Sequence, residues 1–173
     1  MILFFIMPLT ILKNEWIKHL YDQLVIELSA SKKQMTKMIL KENSLSVQHH
    51  EKQEIVVVWF KRDLRFTDHA PLYYAQKQKL PILLLYCFEP SVMAFHDSDV
   101  RHWRFVHQSL QDMQEKLNVL SAQLYTFHKE VPAIFSALNT LYTIRNVFSH
   151  EEIGNKLTYD RDKTMQSYFD SHL

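Results

Sequence analysis

The chain has 173 residues, a formal net charge of +1 and a hydrophobic fraction of 47%, values that suit one globular domain with an extension. The nearly neutral charge excludes a strong overall attraction to nucleic acid, so any DNA contact must be local or belong to another domain. A single cysteine, Cys87, excludes a disulfide framework within the chain and favours a reducing, cytoplasmic location.

Glycine is almost absent from the sequence, which contains only Gly154, although average usage would give about a dozen. A G-x-G-x-x-G turn and a Walker A loop each need several glycines, because the backbone must approach phosphate groups closely. The composition therefore excludes both motifs. Any nucleotide-like ligand must bind without a glycine-rich loop.

The first 53 residues are predicted to form an extension that precedes the folded domain. Residues 1–12 carry no charge, but this run is too short to span a bilayer and lacks the flanking residues of a signal peptide. We therefore expect no membrane contact. Residues 17–28 have the apolar spacing of an amphipathic helix, and residues 29–53 have the polar composition of a linker.

From residue 54 onward, apolar strand-like runs alternate with helical patterns. The predicted strands are 55–60, 82–88, 123–128 and 143–148, and the predicted helices are 69–79, 99–120, 131–142 and 157–171. Four such units predict an α/β domain, a Rossmann-like parallel sheet of at least four strands with helices on both faces.

The turn after the first predicted strand carries a cluster of charge. In an open α/β sheet, ligands bind beyond the carboxyl ends of the strands. The charged residues at this position are Lys61, Arg62, Asp63 and Arg65. Two interpretations stay open: the cluster binds an anionic or aromatic ligand or a neighbouring domain, or an Arg–Asp pair braces the loop.

Further candidates are predicted at the same edge of the sheet. Glu89 closes the second strand, Arg101 opens the long helix, and Glu151 and Glu152 follow the fourth strand. A metal site built from His150 and these two glutamates is disfavoured, because three adjacent ligands do not easily converge on one ion.

The starts of two helices can be predicted from residues whose side chains can act as N-caps. Thr67 and Asp68 are the candidate N-caps of the first helix, with Pro71 in its first turn. Asp99 is one of three candidates before the long helix, in which the apolar spacing predicts that Trp103 packs on the sheet.

Residues 59–68 read Trp-Phe-Lys-Arg-Asp-Leu-Arg-Phe-Thr-Asp, and this run resembles the first strand and loop of the photolyase/cryptochrome family. His69 stands where the family usually has asparagine. The agreement continues in residues 81–90, Pro-Ile-Leu-Leu-Leu-Tyr-Cys-Phe-Glu-Pro, and in residues 159–162, Tyr-Asp-Arg-Asp. The resemblance covers residues 54–173 and identifies them with the N-terminal α/β domain of the family.

The resemblance implies a light-harvesting domain of a deoxyribodipyrimidine photolyase/cryptochrome-like protein. Such a domain holds a folate- or flavin-like antenna chromophore, and the candidate residues above would bind it. The family's FAD lies in a C-terminal helical domain, supplied by the same or a separate chain, through which damaged DNA is bound. We therefore expect that this chain alone does not repair pyrimidine dimers.

Several alternatives stay open at this point. The first-domain motifs are shared by photolyases and cryptochromes, so the sequence does not separate repair from signalling. Two functions of other classes are a stand-alone α/β module that binds a nucleotide-like ligand and a non-enzymatic, cryptochrome-like interaction fragment with an exposed docking face.

Overall fold

The computed structural model describes residues 52–173, so the predicted amphipathic helix and most of the predicted linker lie outside the described residues. Within this range the strands are β1 (Glu54–Phe60), β2 (Ile82–Phe88), β3 (Leu124–His128) and β4 (Thr143–Phe148). The helices are α1 (Ala70–Lys77), α2 (Pro90–Met93), α3 (Val100–Asn118), α4 (Val131–Leu141) and α5 (Lys156–His172). All four predicted strands and all four predicted helices are confirmed, and α2 is an additional short helix.

The four strands form one parallel sheet in the order β3-β2-β1-β4. The predicted α/β class is therefore confirmed. Because β2 and β4 lie on opposite sides of β1, the direction of winding reverses at β1. Open α/β sheets bind ligands beyond the carboxyl ends of their strands near such a switch point, so the edge around the end of β1 is where a ligand is expected.

Strand β1 is buried on both faces, as its continuous apolar sequence predicts. Its even-numbered side chains pack in the core that includes α1 and α3, and its odd-numbered side chains pack in the core that includes α4 and α5. In the second core, the rings of Trp59 and Phe135 meet edge to face with centroids 5.9 Å apart. Helices therefore cover both faces of the sheet, as predicted.

Helix α1 begins at a residue that the sequence did not mark as a cap. His69 is the N-cap, and its Nδ1 atom accepts a hydrogen bond from the amide of Leu72 at 3.1 Å. The prediction of Thr67 or Asp68 was wrong, because Asp68 has a φ of 51° and turns the chain before the helix starts. Pro71 lies in the first turn, as predicted.

The predictions for Asp99 and Trp103 are confirmed. Asp99 caps α3 by accepting from the amide of Arg101 at 2.8 Å. Trp103 is buried against the sheet. Cys87 is a buried free thiol, and burial raises its pKa well above the usual value. None of the helices in residues 52–173 has the length and apolar character needed to cross a bilayer.

Candidate ligand site at the carboxyl edge of the sheet

A cleft of about 330 Å³ opens at the carboxyl ends of β1 and β2, beside the first turns of α3. This volume lies at the lower end of the range of pockets that hold small organic ligands. One wall is apolar and aromatic and includes Tyr86, Val92, Trp103, Phe105 and Val106. The rest of the lining includes a charged wall made of Lys61, Arg62, Glu89, Glu152 and Arg161.

The aromatic wall is held in place by the start of α3. The indole N–H of Trp103 donates to the hydroxyl of Ser98 at 2.6 Å, and its ring lies 6.1 Å from that of Phe88. Phe105 lines the same cleft but is 67% exposed, so its ring lies at the mouth. The wall therefore combines one fixed ring with one accessible ring.

Arg161 of α5 is the centre of the charged wall. Its guanidinium donates to Glu89, to Glu152 at 2.7 Å and to Asp162 at 2.9 Å, and it lies over the ring of Trp59. The side chain is only 12% exposed. This one residue therefore joins the ends of β1, β2 and the β4–α5 loop.

The buried pair of Glu89 and Arg161 has shifted ionisation. Burial raises the pKa of Glu89 to about 7, although the charge and hydrogen bond of Arg161 oppose this rise. Burial would lower the pKa of Arg161, but the charges of Glu89, Asp162 and Glu152 raise it. Glu89 therefore titrates close to neutral pH while its partner stays charged.

Lys61 lies between the end of β1 and helix α5. Its ammonium group donates to Asp162 at 2.6 Å and to the carbonyl of His150 at 2.9 Å, and it lies 4.3 Å from the centre of the Trp59 ring. Burial lowers the pKa of Lys61, while Asp162 opposes the shift. Its donors point into the protein, so its main contacts stabilise the edge of the sheet.

Arg62 is more accessible than the other cations of this wall. Its Nε atom donates to Glu152 at 2.6 Å, and its side chain is 57% exposed. Gly154 lies against this side chain, since a Cβ atom at that position would be 2.4 Å from the guanidinium carbon. The one glycine of the chain therefore leaves room for Arg62 beside Glu152.

Asp63 braces the β1–α1 loop through two histidines. One carboxylate oxygen accepts from the amide of Lys61 at 2.8 Å, and the other contacts the Nε2 atom of His69 at 2.6 Å and the Nδ1 atom of His150. Burial would raise the pKa of Asp63, but the hydrogen bonds from His150 and the Lys61 amide hold it below its usual range. The brace is therefore an Asp–His arrangement.

The side chains of Asp63, His69 and His150 bring their ligand atoms within 4.8 Å of one another, the kind of cluster that can hold a metal ion. However, Nδ1 of His69 accepts the Leu72 amide, so Nε2 carries the proton and donates to Asp63. Burial also lowers the pKa of His69, which keeps the ring neutral. The contacts are those of a hydrogen-bonded brace and leave Nε2 without a lone pair for a metal.

The structure brings only some of the predicted residues together. Lys61, Arg62, Glu89 and Glu152 line the cleft, with Asp63 behind them in the brace. The other three predicted residues do not line the cleft. Arg65 donates to the Asp68 carbonyl at 3.2 Å, and Arg101 pairs with Asp99 and is 85% exposed. Glu151 lines a separate cavity beside α5.

Sequence reasoning missed the residues that organise the charged wall. Arg161 and Asp162 were noticed only as part of the Tyr-Asp-Arg-Asp run, and no role followed from it. Their position in the sequence could have indicated a role. Arg161 and Asp162 come shortly after the predicted start of a helix, and that start lies at the same edge of the sheet as the other charged residues. His69 could also have been noticed, since it stands where the photolyase/cryptochrome family usually has asparagine.

Comparison with known proteins establishes the family of this chain. The sequence model of the DNA photolyase family matches residues 56–172. The chain belongs to this family, as the resemblance of residues 59–68 predicted.

The matching relatives are cryptochromes and photolyases. Cryptochrome DASH from Synechocystis sp. is 35% identical over 107 residues, which is 56% of this chain and 22% of that protein. A Synechocystis cryptochrome structure matches with a TM-score of 0.58 and 27% identity, over 69% of this chain and 26% of that one. A class III photolyase from Agrobacterium tumefaciens shares the fold, with a TM-score of 0.59 and 22% identity over 75% of this chain and 26% of that one. This chain thus spans about a quarter of these relatives and corresponds to their N-terminal α/β domain.

Proposed function

We propose that the cleft beside α3 holds an antenna chromophore, folate- or flavin-like, and that this chain is the light-harvesting domain of a photolyase/cryptochrome-like protein. The observation that carries this proposal is the cleft itself, which lies at the carboxyl edge of the sheet in a member of this family. Its lining combines a fixed indole with a polar wall of carboxylates and guanidinium groups. An aromatic ring system with polar edges fits such a pair of walls.

An antenna needs a rigid site more than a reactive one. The chromophore absorbs and transfers the excitation, and the protein supplies binding and orientation. The contacts of Arg161 and Lys61 hold the charged wall in place from α5, and the contact of Trp103 with Ser98 holds the aromatic wall. These side chains would keep the chromophore in one orientation, and none of them needs to take part in bond chemistry.

In this proposal, the repair reaction belongs to the full-length form of the protein. Light-dependent splitting of pyrimidine dimers would use FAD bound in a helical domain, which extracts the damaged bases from the duplex. This chain by itself is expected to show no dimer repair in light. Repair by the purified chain without an added flavin domain would contradict the proposal.

A fluorescence titration tests the chromophore site directly. Riboflavin, FMN and 5,10-methenyltetrahydrofolate are added in turn to the purified full chain, and at least one is expected to bind saturably. His102 is exposed and lines the cleft, whereas Gln108 is exposed on α3 outside it. His102→Trp is expected to weaken binding about tenfold or more, because the larger ring fills the cleft.

The matched variant Gln108→Trp is expected to leave the dissociation constant unchanged. The absence of saturable binding by all three compounds would refute the proposal. Equal effects of the two substitutions would also refute it, because binding would then lie elsewhere on the protein.

The same edge of the sheet carries features of a docking face. Phe105 is 67% exposed at the mouth of the cleft, and Ile153 is 84% exposed in the β4–α5 loop. We propose that the FAD-binding helical domain covers these side chains, since exposed apolar groups at a functional edge indicate a partner surface.

A pull-down with the helical domain of a relative tests this docking face. The double variant Phe105→Ser and Ile153→Ser is expected to lose the association. Val119→Ser is the control, because Val119 is 86% exposed at the far end of α3. Retention of the complex by the double variant would contradict the docking face.

A further inference from the structure

We infer that the cleft selects an uncharged heteroaromatic ring that carries N–H groups and disfavours a ligand whose bound part includes a phosphate. This inference rests on the proposed chromophore site and specifies the chemistry of its ligand. Proteins bind phosphate with free cationic side chains, with helix N-termini or with glycine-rich loops. At this cleft the cations are paired with carboxylates, the helix N-termini carry side-chain caps, and a glycine-rich loop is absent. Arg62 is paired with Glu152 but stays 57% exposed.

The cations that line the cleft are engaged with carboxylates of the same chain. Lys61 donates to Asp162 at 2.6 Å, and Arg161 donates to Glu152 at 2.7 Å and also to Glu89. Both side chains are nearly buried, at 6% and 12% exposure. A phosphate that recruited Arg161 would leave Glu89 buried without its cation, which is costly. A phosphate that recruited Lys61 would leave Asp162 with Arg161 as its remaining cation.

One carboxylate of the cleft lining also opposes an anion. The lining includes three cationic side chains, those of Lys61, Arg62 and Arg161, and four carboxyl groups, those of Glu89, Asp97, Asp99 and Glu152. Of these four, Glu89 has a pKa raised to about 7 and Asp99 pairs with Arg101. Asp97 is exposed on this lining, so an incoming phosphate would meet its negative charge.

The helix N-termini at the cleft are capped by side chains of the chain. Asp99 accepts from the amide of Arg101 at 2.8 Å at the start of α3, and Asn155 accepts from the amide of Thr158 at 2.9 Å at the start of α5. Both capping residues line the cleft. At each of these N-termini, one amide that would otherwise attract an anion therefore has a side-chain partner within the protein.

A glycine-rich loop is absent, because the sequence has one glycine and Arg62 packs against it. What the cleft does offer is carboxylate oxygens and aromatic surface. The carboxylates of Asp97 and Glu89 accept hydrogen bonds from N–H groups, and the rings of Trp103 and Phe105 provide faces for stacking. A pterin ring or an isoalloxazine ring without its phosphate has this chemistry.

Riboflavin and FMN test the inference, because they share one ring system and differ by a single phosphate group. Their dissociation constants for the full chain are measured by fluorescence at low ionic strength. FMN is expected to bind about threefold more weakly, or worse, because the phosphate lies near unscreened carboxylates. Added salt is expected to narrow this difference.

A tighter complex with FMN than with riboflavin would overturn the inference and leave the chromophore site itself intact. Loss of that preference in Arg62→Gln would then identify Arg62, the exposed cation of the wall, as the phosphate ligand. The absence of saturable binding by both flavins and by methenyltetrahydrofolate is a different outcome. It would overturn the proposed function, and the inference with it.

A matched pair of variants locates the charge effect. Asp97→Asn is expected to bring the dissociation constant of FMN closer to that of riboflavin. Asp112→Asn removes a carboxylate from the exposed surface of α3, where Asp112 is 71% exposed and pairs with Lys116, and is expected to leave the ratio unchanged. Equal effects of the two substitutions would argue against a local charge in the cleft.

Discussion

The guanidinium of Arg161 donates to the carboxylate of Glu152 at 2.7 Å, and this pair joins helix α5 to the loop that follows β4. The two side chains are 12% and 8% exposed, so the contact is shielded from solvent. Because Arg161 also holds Glu89 at the end of β2, the charged wall of the cleft depends on a residue of the last helix. The shape of the candidate site is therefore set by packing between distant parts of the chain.

Replacement of Arg161 by methionine should destabilise the fold strongly. The change leaves Glu89 buried without its cation and leaves Glu152 with Arg62 as its remaining partner, and removal of one partner from such a group costs about 3 kcal/mol. Urea unfolding followed by circular dichroism measures the loss. Arg101→Met is the control, because Arg101 is 85% exposed and pairs only at the surface. Equal losses in the two variants would contradict the central role of Arg161.

Glu89 should make stability depend on pH. Its pKa is raised from 4.5 to about 7 in the folded protein, so the folded state binds a proton that the unfolded state has released. Its contribution to stability is complete below about pH 4.5 and is lost as the pH rises through about 7. Over this window, the wild type is expected to lose up to about 3 kcal/mol relative to Glu89→Gln.

Urea unfolding of both proteins at several pH values checks this expectation. The difference between the two curves isolates Glu89, because the other titrating groups are common to both. Parallel curves between about pH 4.5 and 7 would show that Glu89 ionises normally.

Two substitutions of His69, the N-cap of α1, are expected to lower the stability of the folded protein by different amounts. His69→Asn keeps a side chain that can accept from the amide of Leu72, as the imidazole does at 3.1 Å. His69→Ala removes this cap, and loss of a cap costs about 1 kcal/mol. Both variants lose the contact with Asp63, so the alanine variant should be less stable by about that amount. Thermal unfolding checks the order, and equal midpoints would show that the cap contributes nothing.

Cys87 should be chemically inert in the folded protein. Burial raises the pKa of its thiol, so the reactive thiolate is scarce, and the side chain lies in the core. Iodoacetamide labelling followed by mass spectrometry is expected to modify Cys87 only in denaturant. Rapid labelling under native conditions would show that the cleft opens to the end of β2 more widely than the structure indicates.

Much of the fold could be predicted because its signals are local. Strand β1 is apolar at each of residues 55–60, and this continuous run indicates burial on both faces. The helices were predicted within about two residues by their apolar spacing. The four-residue helix α2 was missed, because a single turn after Pro90 has no periodic pattern to detect.

The candidate site was predictable only in part, because its contacts are distant in sequence. The charged residues after β1 were found, since ligand sites lie beyond the carboxyl ends of parallel strands. Glu89 and Arg161 are 72 positions apart, and no local pattern indicates that they meet. His69 became a cap because Asp63 holds its Nε2 atom, which fixes Nδ1 at the start of α1. Such an arrangement depends on tertiary structure.

A crystal structure of the full chain with the tightest-binding chromophore would show where the antenna binds. We expect the ring to lie in the cleft between β1, β2 and α3, in contact with Trp103 and within hydrogen-bond distance of Glu89 or Asp97. A second cavity lies between the end of β4 and α5, where it is lined by Val147 and Phe169. A chromophore bound there, or a cleft that stays empty at saturating chromophore, would contradict an antenna site in the cleft beside α3.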